Sequence, residues 1–371
     1  MSASNKVCHL TSVHRDGDVR IFHKECTSLA EAGFEVYLIV PNTSSRMEKG
    51  VNIVSFESKP KSRLSRMHHT VNRVLNEALK VDAEIYHIHD PELLRIVGPL
   101  KRKGKKVIYD AHEDLPRQIL AKHWIPLPLR KVIANLSENV ENRWASKCDA
   151  IVTATPFIEE RFKQVNSTTV AVNNFPILKE LSLDTKRDAS SVGTVCYVGG
   201  ITQTRGIIEL LESLKYTKAR LLLAGEFLEE NLKETAIQIE GWQKTEELGF
   251  LDREGVKGVY QRSQIGIVTL HPISNYLDSL PVKMFEYMLA GLPVIASNFK
   301  LWKSIIEEHE CGICVDPLNP RAIGEAIDYL IDHPELATKM GENGKALALE
   351  KYNWGFEEQK LLSIYEQLRK K

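Results

Sequence analysis

Asp278 and Glu286 stand eight residues apart, on either side of Pro281. Proline is tolerated where a helix begins, because the N–H it lacks would have no partner there, so a helix is expected to start near Pro281. The free N–H groups of such a first turn, around Pro281, Val282 and Lys283, form a site for an anion, and Lys283 adds a full positive charge beside them. Glu286, one turn deeper, can accept bonds from ribose hydroxyls. The chemistry implied is capture of a phosphorylated ligand; the ordinary alternative is a carboxylate that merely matches the helix dipole.

Three further places, the last a pair of loops, carry polar residues just after a strand-like run, where open α/β sheets bind their ligands. In YVGGITQTRGIIEL, residues 197–210, the pair Gly199 and Gly200 lets backbone approach a phosphate, with Thr202 and Arg205 close behind. Glycines in such a turn also serve geometry alone. In YDAHED, His112 lies just beyond the strand ending at Asp110, where a hydrogen-bonded loop histidine is the plain reading. In SVHRDGDVR, the residues Asp16, Gly17 and Arg20 leave the first strand, with a helix N-cap near Asp18 as their alternative. In HIHDPEL, His87 and His89 share one face of a strand and Asp90 follows, a set that suggests a metal. Cys311 and Cys314 have CxxC spacing without a second pair, which fits packing better than a metal.

The segment from Asp278 through Glu286, Tyr287, Met288, Ala290, Gly291 and 293–297 resembles the donor-binding motif of retaining glycosyltransferase family four, which has the GT-B fold. The resemblance implies that Glu286 contacts the nucleotide ribose and Asp278 the donor sugar, the latter a shorter substitute for the family's usual glutamate. It implies that the 197–210 turn holds the pyrophosphate. Family members often carry Arg where this chain has Gly200 and Lys where it has Arg205, so backbone N–H groups of 199–202 are expected to replace one cation in part. It also implies that His112 contacts the sugar near the reacting centre, that Asp16, Gly17, Arg20, His89 and Asp90 line the acceptor side, and that no metal or other cofactor is needed. Backbone groups near Gly249, Leu251 and Asp252 are expected to hold the base, uracil in preference to guanine.

The elements that must position these groups follow a βα rhythm. Strand-like runs near 6–12, 34–40, 51–56, 84–89, 105–110, 149–153 and 168–172 alternate with amphipathic segments near 18–33, 62–80, 91–103 and 128–147. The pattern lapses over 173–190, where a linker is expected, and resumes with strands near 192–198, 219–224, 264–269, 292–296 and 311–315. The fold class expected is α/β, two Rossmann-like domains facing a cleft, with boundaries at 1–183 and 184–352 and a last helix, 353–371, packed on either domain. A chain of 371 residues accommodates two such cores.

The net charge is zero, yet residues 1–183 hold 27 Lys+Arg against 21 Asp+Glu. Part of that excess lies in Lys59, Lys61, Arg63, Arg66 and Arg73, and in Lys101, Arg102, Lys103, Lys105 and Lys106. Docking on an anionic membrane surface and a plain solvated face are both open readings. No apolar run reaches the length of a bilayer span and the start has no secretory h-region, so the expected location is the cytoplasm, peripheral on the inner face if the membrane reading holds. The partners expected are a nucleoside diphosphate sugar, with UDP preferred, and a glycan or lipid-linked glycan acceptor of surface polysaccharide assembly; nucleic acid is not expected. Two rivals stay open: a nucleotide-sugar 2-epimerase and a non-catalytic nucleotide-sugar-binding subunit. The first strand lacks G-x-G-x-x-G, which argues against a dehydrogenase.

Overall fold

The computed structural model describes residues 5–59, 61–62, 65–121, 125–181 and 192–370. They divide into two compact units, Met1–Asn174 with Phe356–Lys371, and Phe175–Gly355. The boundary expected at 183/184, and Arg63 of the first basic cluster, lie outside the described residues.

The first unit is built on β1 (Lys6–Leu10), β2 (Glu35–Pro41), β3 (Arg46–Glu48), β4 (Val51–Phe56), β5 (Ile85–Ile88), β6 (Lys106–Ala111), β7 (Ala150–Thr153) and β8 (Thr169–Ala171). Their order in the sheet is β3-β4-β2-β1-β5-β6-β7-β8, and every pair is parallel except β3 with β4. Alternation along a strand sends successive side chains to opposite faces. Cys8, Leu10, Tyr86, Ile88, Val107 and Tyr109 join one apolar core. The other parity of the same strands carries His9, His87 and Asp110, all fully buried. That face is covered in part by the segment Val19–Cys26, whose start is capped by the Asp18 carboxylate accepting from the Arg20 and Ile21 N–H groups at 2.9 Å each.

The second unit holds β9 (Thr194–Val198), β10 (Arg220–Ala224), β11 (Thr245–Gly249), β12 (Ile265–Val268), β13 (Val294–Ser297) and β14 (Gly312–Val315), ordered β11-β10-β9-β12-β13-β14 and wholly parallel. Cys196, Val198, Leu222 and Ala224 enter one core while Val195, Tyr197, Leu221 and Leu223 enter the other, so both faces of this sheet are covered, as a parallel sheet requires. Cys311 and Cys314 are free thiols, and burial pushes both up to about 12.

Two strands escape the periodicity of the sequence. β3 (RME) and β11 (TEELG) are edge strands with mostly solvated side chains, so neither shows an apolar run. The last helix, Trp354–Lys370, belongs from Phe356 onward with the first unit: Glu357 accepts from the backbone and side chain of Asn173 at 2.8 and 3.2 Å, and Tyr365 is fully buried. Among the described residues no helix is long and apolar enough to cross a membrane.

Candidate functional site

In each sheet the strand order reverses beside the first strand of the unit, between β9 and β12 in the second unit and between β1 and β5 in the first. Such switch points open a crevice at the carboxyl ends of the strands, because the connecting loops diverge to the two sides. In the second unit that crevice collects the turn after β9 and the helix Val282–Leu289 that follows β12. Gly206, with φ +74°, lets the turn press on the end of β12, since a Cβ there would lie 2.0 Å from the Thr269 carbonyl oxygen.

The helix Val282–Leu289 begins without a side-chain cap, and Pro281 is its N-cap residue in extended conformation rather than its first helical one. Lys283 Nζ sits 3.5 Å above the centre of the Tyr197 ring, buried and without a hydrogen-bond partner. Burial, and then the neighbouring Arg205, hold its amine well below the usual lysine range. A buried amine with nothing to bond is costly in a resting protein and becomes favourable once an anion arrives.

The turn after β9 explains the missing cation at Gly200. A Cβ on Gly200 would stand 2.6 Å from Arg205 Nη1 and 2.7 Å from Leu228 Cδ1, so the Arg205 guanidinium fills the space a side chain would need. Arg205 Nη1 and the Tyr197 hydroxyl both donate to the Gly200 carbonyl, at 2.8 and 2.9 Å. The expected cradle of backbone amides is smaller than anticipated. Gly199 N–H is spent on Ala224 and Ile201 N–H on Glu226, and among the described residues those of Gly200 and Thr202 keep no acceptor.

Glu286 is buried, and its carboxylate accepts from Arg253 Nη1 and from the Tyr260 hydroxyl, each at 2.9 Å. Two bonds leave a carboxylate with lone pairs to spare, so Glu286 is oriented yet able to accept further hydroxyls. Asp278 is exposed, just after the short helix Ser274–Leu277, and has no partner among the described residues. Leu251 is half-buried against the core, and Asp252 caps the helix Arg253–Gln261 by accepting from Gly255 N–H at 2.8 Å.

In the first unit most of the residues expected on the acceptor side have partners within the protein. Arg20 is buried and donates twice to Asp110, at 2.9 Å each, and to the Val172 carbonyl at 2.7 Å. Asp90 is buried and accepts from the Thr11 hydroxyl at 2.9 Å and the Ser12 N–H at 2.6 Å, tying the end of β1 to the end of β5. His89 is buried between other imidazoles. Asp16 is committed to Thr43 and Arg46 at 2.6 and 2.8 Å, and Gly17 is exposed with open space around it. Four of these five side chains therefore organise the loops, because charged groups folded beneath a strand end find protein partners before they find a ligand.

His112 is partly exposed, with Nε2 at 3.0 Å from Asp110 Oδ2. Behind it a chain of contacts runs inward: His89 Nδ1 lies 3.3 Å from Asp110 Oδ2, His89 Nε2 2.9 Å from His9 Nδ1, His9 Nε2 3.0 Å from the Tyr365 hydroxyl, and that hydroxyl 2.8 Å from His87 Nδ1. Burial pushes His9 and His87 well below the usual imidazole range and His89 to about 4, so all three are neutral at pH 7. Burial would raise Asp110, but Arg20 and then His112 outweigh it and hold the carboxyl well below its usual range. With His9, His87 and His89 neutral and each carrying one proton, His89 donates to Asp110, His9 to His89, Tyr365 to His9, and His87 to Tyr365. His87 Nε2 is then a bare lone pair, in keeping with its lack of a partner, whereas reversing the chain would strand an N–H there.

Sequence reasoning missed His9, Glu25 and Tyr365. Glu25 is fully buried with both oxygens unbonded; burial, and then Asp110, raise it well above the usual carboxyl range. Its Oε2 lies 3.9 to 4.0 Å from a nitrogen of each of His9, His87 and His89, four groups that could enclose a metal ion, as could His89, Asp110 and His112. The cluster makes stability acid-sensitive. Below about pH 6.5 the three imidazoles take up protons in the unfolded chain but not in the folded one, so stability falls with pH; Glu25, whose folded value is raised, works in the opposite sense, one group against three. The urea midpoint should drop clearly from pH 7 to pH 5, and a flat profile would refute the neutral assignment.

Comparison with known proteins places these features. Residues 16–173 match the family model Glycosyltransferase Family 4, and residues 185–347 match Glycosyl transferases group 1. The chain is 24% identical over 280 residues to the D-rhamnosyltransferase WbpZ of Pseudomonas aeruginosa, covering 72% of this chain and 69% of that one. Among solved structures, sucrose-phosphate synthase from Thermosynechococcus elongatus superposes with a TM-score of 0.80 at 16% identity, covering 98% of both chains. Anabaena HepE in complex with UDP-glucose gives 0.74 at 14% identity, covering 98% of this chain and 99% of that one.

Proposed function

We propose, for a chain that belongs to the family 4 glycosyltransferases of the GT-B fold, transfer of a sugar from a nucleoside diphosphate to a hydroxyl of a glycan or glycolipid, with retention at the anomeric carbon and without a metal. The observation that carries the reading is Lys283: a buried, unpartnered amine beside an uncapped helix start and Arg205. Such a set of donors and positive charge suits a diphosphate. Glu286, held by Arg253 and Tyr260, takes the ribose, and Asp278 the sugar. The backbone around Leu251 takes the base, with UDP preferred, a preference supported by HepE having been solved with UDP-glucose.

As the bond from sugar to phosphate breaks, negative charge grows on the leaving group, and Lys283, Arg205 and the first-turn amides stabilise it. No protein nucleophile is assigned; the departing phosphate takes the acceptor proton on the same face of the sugar. His112, anchored on Asp110, holds a donor-sugar hydroxyl. The acceptor assigned is a glycan or lipid-linked glycan of surface polysaccharide assembly.

A thermal-shift panel of nucleoside diphosphate sugars tests it, since a ligand at about 100 times its Kd stabilises by about 2.7 kcal/mol. UDP-sugars should give the largest shift, and proton NMR of the product should show the anomeric configuration of the donor preserved. An inverted product, or no shift with any donor, overturns the reading.

A further inference from the structure

His9 and His87 are register partners on the neighbouring strands β1 and β5, and His89 follows two residues on, so the three rings leave the same face of the sheet. Glu25 reaches them from the segment Val19–Cys26 that covers that face. Each of the four side chains is at most 2% exposed. Glu25 Oε2 stands 3.9 Å from His9 Nδ1, 3.9 Å from His87 Nδ1 and 4.0 Å from His89 Nε2, and His9 Nδ1 lies 2.9 Å from His89 Nε2.

Among the described residues no hydrogen bond reaches either oxygen of Glu25. The Arg20 guanidinium, 3.1 Å from Oε1, gives two bonds to Asp110 instead. Two buried carboxyls therefore share one cation, and Oε2 is the oxygen turned to the three imidazoles. A buried carboxylate so placed is costly unless a further positive charge joins it.

The donor set is three imidazole nitrogens and one carboxylate oxygen, which suits zinc and its neighbours in the first transition row, whereas calcium and magnesium take oxygen ligands. The four ligand atoms all lie within 4.8 Å of one another. In a tetrahedral zinc site with bonds of about 2.0–2.1 Å the ligand atoms stand about 3.3 Å apart, so side-chain shifts of about 0.5 Å seat an ion between them. Zinc-bound histidines ordinarily anchor their outer nitrogen on a second group. Here His89 Nδ1 lies 3.3 Å from Asp110 Oδ2 and His9 Nε2 lies 3.0 Å from the Tyr365 hydroxyl. The adjoining set of His89, Asp110 and His112 offers one ligand fewer, and its carboxylate is already bonded twice to Arg20.

We propose that His9, Glu25, His87 and His89 bind one divalent transition-metal ion, zinc by donor chemistry, as a cross-link between β1, β5 and the segment Val19–Cys26. With the ion bound, His9 carries its proton on Nε2 and donates to Tyr365, while His87 Nδ1 exchanges that hydroxyl for the ion. Four protein ligands close the coordination sphere and leave no position for a substrate, so the ion is structural and takes no part in sugar transfer. The inference is independent of the reading of the donor site.

The full chain is dialysed against zinc, desalted and assayed for metal, and a second sample is loaded with cobalt(II). The unaltered protein should retain about one zinc per chain, and X-ray absorption at the zinc edge should show four nitrogen or oxygen ligands at about 2.0 Å, with imidazole scattering and no sulfur. The cobalt form should show the intense visible bands of a four-coordinate ion. Glu25→Gln and His87→Gln should each weaken zinc binding more than about a hundredfold and abolish the rise in melting temperature that zinc gives the unaltered chain. Loss of the zinc on desalting, a six-coordinate cobalt spectrum, or unchanged zinc affinity in either folded variant, which would mark surface histidines as the site, would each overturn the proposal. Where a variant does not fold, the ligand count of the unaltered chain decides.

Discussion

Replacing Lys283 with methionine should lower kcat/KM for sugar transfer by about 10²–10³, the scale on which removing one preorganised group at a developing anion is felt. The same substitution should leave stability unchanged or higher. A structural lysine would do the reverse, because losing it would leave its partners unpaired; Lys283 Nζ has no hydrogen-bond partner to lose, and the ring of Tyr197 accommodates a thioether as readily as an amine. The amine of the ligand-free protein is depressed by burial and then by Arg205, and a bound diphosphate favours its charged form. Binding of UDP should therefore take up protons at alkaline pH, and affinity should weaken as pH rises towards the ordinary lysine range. Calorimetry in two buffers of different ionisation enthalpy reads that uptake directly. Activity of the variant within a few-fold of the unaltered enzyme, or binding without proton uptake in the unaltered chain, removes Lys283 from the site.

Replacing Asp110 with asparagine should destabilise the first unit by about 3–5 kcal/mol, the cost of leaving a buried charge without its counter-ion. The stranded group is Arg20, which gives two of its bonds to Asp110; Glu25 Oε1, 3.1 Å from its Nε, belongs to a carboxyl that burial and then Asp110 raise well above the usual range. The substitution also removes the carboxylate that anchors His112 Nε2 at 3.0 Å, so turnover should fall even at temperatures where the variant is folded. Removing both charges, as Asp110→Asn with Arg20→Met, should recover part of the stability and none of the turnover. Denaturant unfolding of the three proteins separates the effects. If the single variant loses less than about 1 kcal/mol, the pair contributes no more than an exposed one and the assignment of Asp110 as the anchor of the cluster is wrong.

The groups proposed for the phosphates could be gathered from the sequence because they are neighbours in it. Pro281, Lys283 and Glu286 lie within two turns of one helix, and the glycine turn with Arg205 follows one strand directly, so local spacing alone brings their groups together. The role of Gly200 was not legible. Its lack of a side chain is explained by a guanidinium folded back over it, and only the three-dimensional path of the turn shows that. Arg20, His89 and Asp90 were recognised as chemically capable, but the partners the fold gives them, Asp110, His9 and Thr11, lie on other segments and were not legible.

The alternation of apolar runs and helical periods determined two parallel α/β sheets by itself, since strand and helix each bury their apolar residues at a period of their own. Which polar residues meet beneath the strand ends was decided by tertiary structure alone. Strand order sets His9 beside His87, and the last helix brings Tyr365, 356 residues along the chain, to within 3.0 Å of His9. Burial of the apolar residues on Leu127–Ala145 was equally undecided, because periodicity shows that a helix has an apolar face and not whether anything in the protein covers it.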